Sequence, residues 1–142
     1  MRSGCRILVV DDSQDTAWSF ATLLELDGNE VRMALDGGQA LRTADEFRPQ
    51  VVLLDIGLPD LDGYHVARCL RARPWGDDVI LIAVTGRWQE DDRKRSTEAG
   101  FDRHVVKPVD LAALYEAIGE LGAAGSLSSR SGSRPASSDP PA

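Results

Sequence analysis

Five side chains in this sequence are of the types that act together on phosphate or on a hard metal ion: Asp11, Asp12, Asp55, Thr85 and Lys107. Each closes an apolar run. The aspartate pair follows CRILVV, Asp55 follows VVLL, Thr85 follows VILIAV, and Lys107 follows RHVV. A carboxylate is among the groups least willing to be buried, so an apolar strand that ends in one must open onto water or onto a compensating charge. Three carboxylates within a few ångströms repel one another and stay ionised together only beside a cation. All-oxygen donors select Mg²⁺ or Mn²⁺, and no Cys/His set with zinc-ligand spacing is present. A carboxylate is also a nucleophile toward phosphorus, yielding an acyl phosphate. An ammonium and a hydroxyl then serve the phosphoryl oxygens. Singly, Asp and Thr are ordinary helix caps and Lys an ordinary solvated residue. It is their joint place at four strand ends that points to phosphoryl chemistry.

The elements that must hold these groups alternate along the chain. CRILVV reads as a first strand, and QDTAWSFATLLELDG as a helix with Ala17, Phe20 and Leu24 at helical spacing, stopped at Gly28. EVRMAL alternates as a strand, and Asp36 three residues before Gln39 is a capping-box start for a helix to Phe47. VVLL is the third strand. A helix through YHVARCLRA follows and is ended by Pro74. VILIAV is a fourth strand, a polar helix closes at Gly100, RHVV is a short fifth strand, and Asp110 caps a last helix, LAALYEAIGEL. Strands without polar alternation are buried on both faces, so the class is α/β: a doubly wound parallel sheet with helices on both sides. Ligands of such a sheet bind beyond the C-terminal ends of its strands, which is where the five residues fall.

At 142 residues, with 42% hydrophobic and 27% charged residues, the chain has the composition of a globular domain. The expected division is a folded unit over 1–122 and a tail over 123–142, whose Ser-, Pro- and Gly-rich sequence buries too little to offset ordering. A net charge of -7 argues against nucleic acid as a direct partner, RARP and DRKRS being the only basic stretches. No run is long enough to span a bilayer and no leader pattern opens the chain, so a cytoplasmic setting without membrane attachment is expected. Cys5 and Cys69 lie in apolar segments and read as small, reduced core residues.

Asp11-Asp12, LLDIGLPDLDGY, VTG and GFDRHVVKPVD together resemble the receiver domain of two-component response regulators, over about residues 5–121. The resemblance implies a (βα)5 flavodoxin-like fold with strand order 2-1-3-4-5. It also implies a phosphorylation-switched module that catalyses its own phosphotransfer and dephosphorylation but is not a metabolic enzyme. Asp55 matches the aspartate phosphorylated by a histidine kinase or histidine phosphotransfer protein. Asp12 matches a direct Mg²⁺ ligand, Asp11 its acidic partner, and Gly57 the residue that lends the metal a backbone carbonyl. Lys107 matches the phosphoryl-binding lysine, Pro108 the following proline with its cis peptide, and Thr85 the hydroxyl that moves on activation. The resemblance further implies a downstream protein partner; because only the tail follows the last helix, no output domain is expected, leaving a stand-alone receiver that acts through a partner or passes phosphate onward in a relay.

Some positions depart from the family. His104 stands where an aromatic switch residue is usual, and an imidazole can titrate near neutral pH. Gly57 and Arg87 occupy positions that influence phosphate lifetime, and Leu58 and Leu61 replace frequent methionines. His65 reads as a surface residue, at least one of Trp18 and Phe20 as core, and Trp88 as a possible partner anchor on the fourth helix. A phosphatase or mutase with an aspartyl nucleophile is the enzyme-class rival. That class has a second aspartate two residues after the first, where this chain has Gly57. A receiver that binds without phosphorylation is the third reading, and its usual sign, loss of the acidic pair, nucleophile or lysine, is absent.

Overall fold

A computed structural model of the chain describes residues 4–58, 62–86, 90–107 and 109–123. The expectations placed on Leu61, Arg87, Trp88, Pro108 and residues 124–142 lie outside the described residues. The elements alternate as β1 (Arg6–Val10), α1 (Gln14–Leu26), β2 (Glu30–Ala34), α2 (Gly37–Phe47), β3 (Val51–Asp55), α3 (Gly63–Arg71), β4 (Ile80–Thr85), α4 (Glu90–Ala99), β5 (Arg103–Val106) and α5 (Leu111–Ala123). A 3-10 turn, Gly76–Asp78, precedes β4. The strands form one parallel sheet in the order β2-β1-β3-β4-β5. The three central strands are buried almost end to end, while β2 and β5 are the partly exposed edges.

Side-chain alternation divides the core between the two faces of the sheet. Leu8, Val10, Val52, Leu54, Leu81 and Ala83 point to one face, covered by Ala40 and Ala44 of α2, Ala67 and Leu70 of α3 and Ala99 of α4. Ile7, Val9, Val51, Leu53, Ile82 and Val84 point to the other, covered by Ala17, Ala21 and Leu24 of α1 and Leu114 and Ile118 of α5. Small residues on the helix faces let helix and sheet backbones approach closely.

Helix boundaries follow local chemistry. Ser13, Asp36 and Asp62 each accept a hydrogen bond from a backbone N–H three residues on, and Asp110 accepts one from Ala112. Gln39 answers at α2 by accepting from the Leu35 N–H at 2.7 Å, one residue ahead of the position a capping box would use, the Asp36 N–H. Gly28 and Gly100 end α1 and α4 at φ 95 and 105°.

Four details differ from the sequence reading. Helix α3 stops at Arg71, ahead of Pro74, because the residue before a proline is already pushed out of helical geometry. Helix α5 runs through Ala123, one residue past the expected boundary. Trp18 is 61% exposed, and Phe20 only packs from the edge against the core that Ala17, Ala21 and Leu24 enter. The two cysteines are free thiols, half-buried and not in the core.

Candidate functional site

Sheet register does most of the positioning. Val10 pairs with Leu54, and Asp55 with Val84, so Asp11 and Asp55 leave adjacent strands side by side on the face toward α1 and α5. Thr85 pairs with Val106, which puts Lys107 one step further along β5 and next to the same edge. The Lys107 N–H donates to the Thr85 carbonyl at 2.8 Å, anchoring the lysine backbone to β4.

The side chains then converge. Lys107 Nζ lies 3.1 Å from Asp55 Oδ2 and 3.1 Å from Asp11 Oδ2, bridging the two carboxylates. Asp11 and Asp55 are buried and Asp12 is exposed, and the three offer carboxylate oxygens within 4.8 Å of one another. Burial acts to lower the Lys107 pKa, but hydrogen bonds and attraction from Asp11 and Asp55 outweigh it, and the ammonium is held above its usual range.

Each buried aspartate has its second oxygen fixed by the backbone two residues on. The Ser13 N–H donates to Asp11 Oδ1 at 2.9 Å, and the Gly57 N–H to Asp55 Oδ1 at 3.0 Å. These Asx turns were missed in the sequence, although an aspartate leaving a strand into a short loop is their signal. A Cβ at Gly57 would lie 3.8 Å from Asp55 Oδ1, ordinary contact distance, so the space beside the carboxylate is open for reasons of size and not of backbone strain.

Three carboxylates face one ammonium, an excess of negative charge in a partly buried place. The donor set is all oxygen, and the chemistry fits a hard divalent ion, with Asp12 reaching water and Asp11 and Asp55 held from behind. Thr85 is half-buried at the end of β4. His104 lies in the row of Val10, Leu54 and Ala83, on the face that carries α4, and alternation turns Thr85 to that same face. The structure thus brings Asp11, Asp12, Asp55 and Lys107 together, with Gly57 against Asp55. It sets Thr85 and His104 behind them on one side of the sheet.

A groove of about 580 Å³ opens beside Lys107, lined by Thr16, Ser19, Phe20 and Leu23 of α1 and by Val109 and Leu111. Leu23 and Leu26 join Trp18 as exposed apolar residues of α1, at 46% and 76% exposure. The sequence reading placed no function on this helix.

Residues 7–119 match the model of the response regulator receiver domain. The chain belongs to that family. It is 44% identical over 119 residues to the transcriptional regulatory protein PrrA of Mycobacterium leprae, covering 84% of this chain and 50% of the relative. Among solved structures, a CheY-like receiver domain protein from Methanospirillum hungatei superposes with a TM-score of 0.76 at 32% identity, over 91% of this chain and 98% of the other. The receiver domain of a signal transduction histidine kinase from Syntrophus aciditrophicus gives a TM-score of 0.74 at 29% identity, over 83% and 89%. The chain spans about half the length of the curated relatives it matches. Among the described residues no helix is long and apolar enough to cross a membrane.

Proposed function

We propose that this receiver domain is switched by phosphorylation of Asp55, the phosphoryl group coming from the phosphohistidine of a histidine kinase or phosphotransfer protein. One observation carries the reading: Lys107 Nζ sits between Asp55 and Asp11 at 3.1 Å from each, at the open end of a buried sheet. An Asp55 oxygen bonds to phosphorus as the P–N bond breaks, and the departing imidazole keeps the electron pair. Lys107 exchanges its contact with the carboxylate for one with a phosphoryl oxygen, stabilising the charge that gathers there. Asp11 and Asp12, with Asp55 and the Gly57 carbonyl, would hold Mg²⁺ or Mn²⁺. When bound, the ion supplies positive charge to the phosphoryl oxygens.

Thr85 moves its hydroxyl toward the new phosphoryl group, and His104 turns on the same face of the sheet. That remodels the surface of α4, β5 and α5 for a downstream protein. A protein donor is supported by the apolar groove between α1 and Leu111, which gives a partner helix a wall to rest on within reach of Lys107.

The test is incubation with acetyl phosphate and Mg²⁺, wild type beside Asp55→Asn. The wild type gains one base-labile phosphoryl group by intact mass, a gain prevented when the metal is chelated beforehand, and the variant gains none. Labelling that persists in Asp55→Asn, or turnover of small phosphate esters by the wild type, sinks the proposal, the latter in favour of a phosphatase.

A further inference from the structure

At the opposite pole of the sheet, where the strands begin, a notch of about 260 Å³ is lined by Arg6, Arg48, Gln50, Trp75, Asp78 and Val79. Arg6 Nε donates to the Arg48 carbonyl at 2.9 Å, and Arg48 Nε to the Asp45 carbonyl at 3.1 Å. Among the described residues neither guanidinium has a carboxylate within 4.0 Å. Two unneutralised arginines side by side are unexpected in a chain of net charge -7.

Both are held in place before any ligand arrives. The Arg48 guanidinium lies 5.3 Å from the centre of the Trp75 ring, and Trp75 itself packs against the core. Arg48 has φ 52°, and among the described residues no other non-glycine lies in the left-handed region. That conformation, strained for a residue with a Cβ, accompanies an Arg48 carbonyl turned toward Arg6 Nε and a guanidinium resting over Trp75. Gln50 adds a third donor. Its Oε1 accepts from the Arg6 N–H at 2.9 Å, so its amide nitrogen faces away from the strand. Asp78, exposed on the same rim, opposes an anion there, but two guanidiniums against one carboxylate leave a positive surplus.

We propose that this notch binds an oxyanion, free phosphate or the phosphate of a small monoester, between Arg6, Arg48 and Gln50. Donors on three residues suit a tetrahedral group with oxygens in several directions, where a planar carboxylate would use one guanidinium alone. The site is separate from Asp55 and does not depend on its phosphorylation.

The test follows the Trp75 indole N–H and the Arg6 and Gln50 amides by two-dimensional NMR during titration with inorganic phosphate. Parallel titrations use glycerol 3-phosphate, acetate, and sodium chloride at matched ionic strength. Saturable shifts are expected with phosphate in the wild type and equally in Asp55→Asn, and none with chloride. They disappear in Arg6→Gln with Arg48→Gly. The glycine removes the guanidinium while relieving the positive φ, so the variant stays folded, which unchanged labelling of Asp55 by acetyl phosphate verifies. Shifts with glycerol 3-phosphate assign the natural ligand to monoesters, and their absence to free phosphate. The proposal is overturned if chloride or acetate reproduces the phosphate shifts, if no shift saturates, or if the double variant responds like the wild type.

Discussion

At the scale of single residues, Lys107 decides the character of the site. It neutralises part of the charge of Asp11 and Asp55, so it competes with a divalent ion for the same oxygens. Lys107→Ala is therefore expected to bind Mg²⁺ more tightly by calorimetry while accepting phosphoryl groups more slowly from acetyl phosphate. Tighter metal binding with unchanged phosphorylation would leave the lysine without its assigned role. Ser96 gives a second prediction. Its hydroxyl is buried in α4 and, among the described residues, makes no hydrogen bond. Ser96→Ala should raise stability by about 1 kcal/mol in chemical denaturation, the cost of leaving a buried hydroxyl unsatisfied. The acidic residues and the lysine were legible in the sequence because polarity breaks sharply where each strand ends. The Asx turns behind Asp11 and Asp55 were not, since they depend on how the loop folds back. Nor were the arginines of the notch, which come from separate segments with no shared motif.

At the scale of elements, the strands and helices were legible because apolar runs and caps are local signals. Strand order was not legible from periodicity, which says nothing about neighbours, and came only with the family resemblance. Packing at the base of β4 and β5 was equally hidden. Arg71, the last residue of α3, donates to the carbonyls of Gly76, Val79 and Gly100 and to Asp102 Oδ2, which also accepts from the Leu81 N–H. The pair is nearly buried, at 11% and 10% exposure. Arg71→Met takes the guanidinium from three carbonyls and leaves the Asp102 carboxylate without its opposite charge, and should cost about 3–5 kcal/mol. A loss below ~1 kcal/mol in urea unfolding would show that water replaces the guanidinium. On the other edge of the same region, Arg95 lies 4.2 Å from the centre of the Tyr64 ring, joining α4 to α3. If His104 carries the conformational change, His104→Ala retains full labelling of Asp55 but loses the phosphorylation-dependent amide shifts in α4 and β5. Unaltered shifts in that variant would remove His104 from the switch.

At the scale of the whole molecule, the two helical layers are tied at different places. Tyr115 of α5 donates to Asp27 Oδ2 at 2.7 Å and accepts from Asn29 Nδ2 at 3.3 Å, linking α5 to the turn between α1 and β2. Burial and the Asp27 carboxylate push the phenol up to about 12 from 10.0. In that interval the folded chain holds a proton that the unfolded chain has released. Stability should therefore fall as pH rises from about 10 to about 12, and Tyr115→Phe should show a shallower fall in denaturation midpoint. Equal slopes would discount the link. A consequence of the Arg71 anchorage reaches the far side of the molecule. Strand β5 is only four residues long, pinned at its entrance by Asp102 and restrained beyond its exit by an ammonium shared between two acids. A short beam held firmly at one end and, once the ammonium changes partner, by backbone hydrogen bonds alone at the other pivots instead of sliding. When the charge at Lys107 finds a new partner, displacement should be least at Arg103 and greatest at the exposed Val106, so the fixed end converts a local exchange of charge into a directed swing of the sheet's edge.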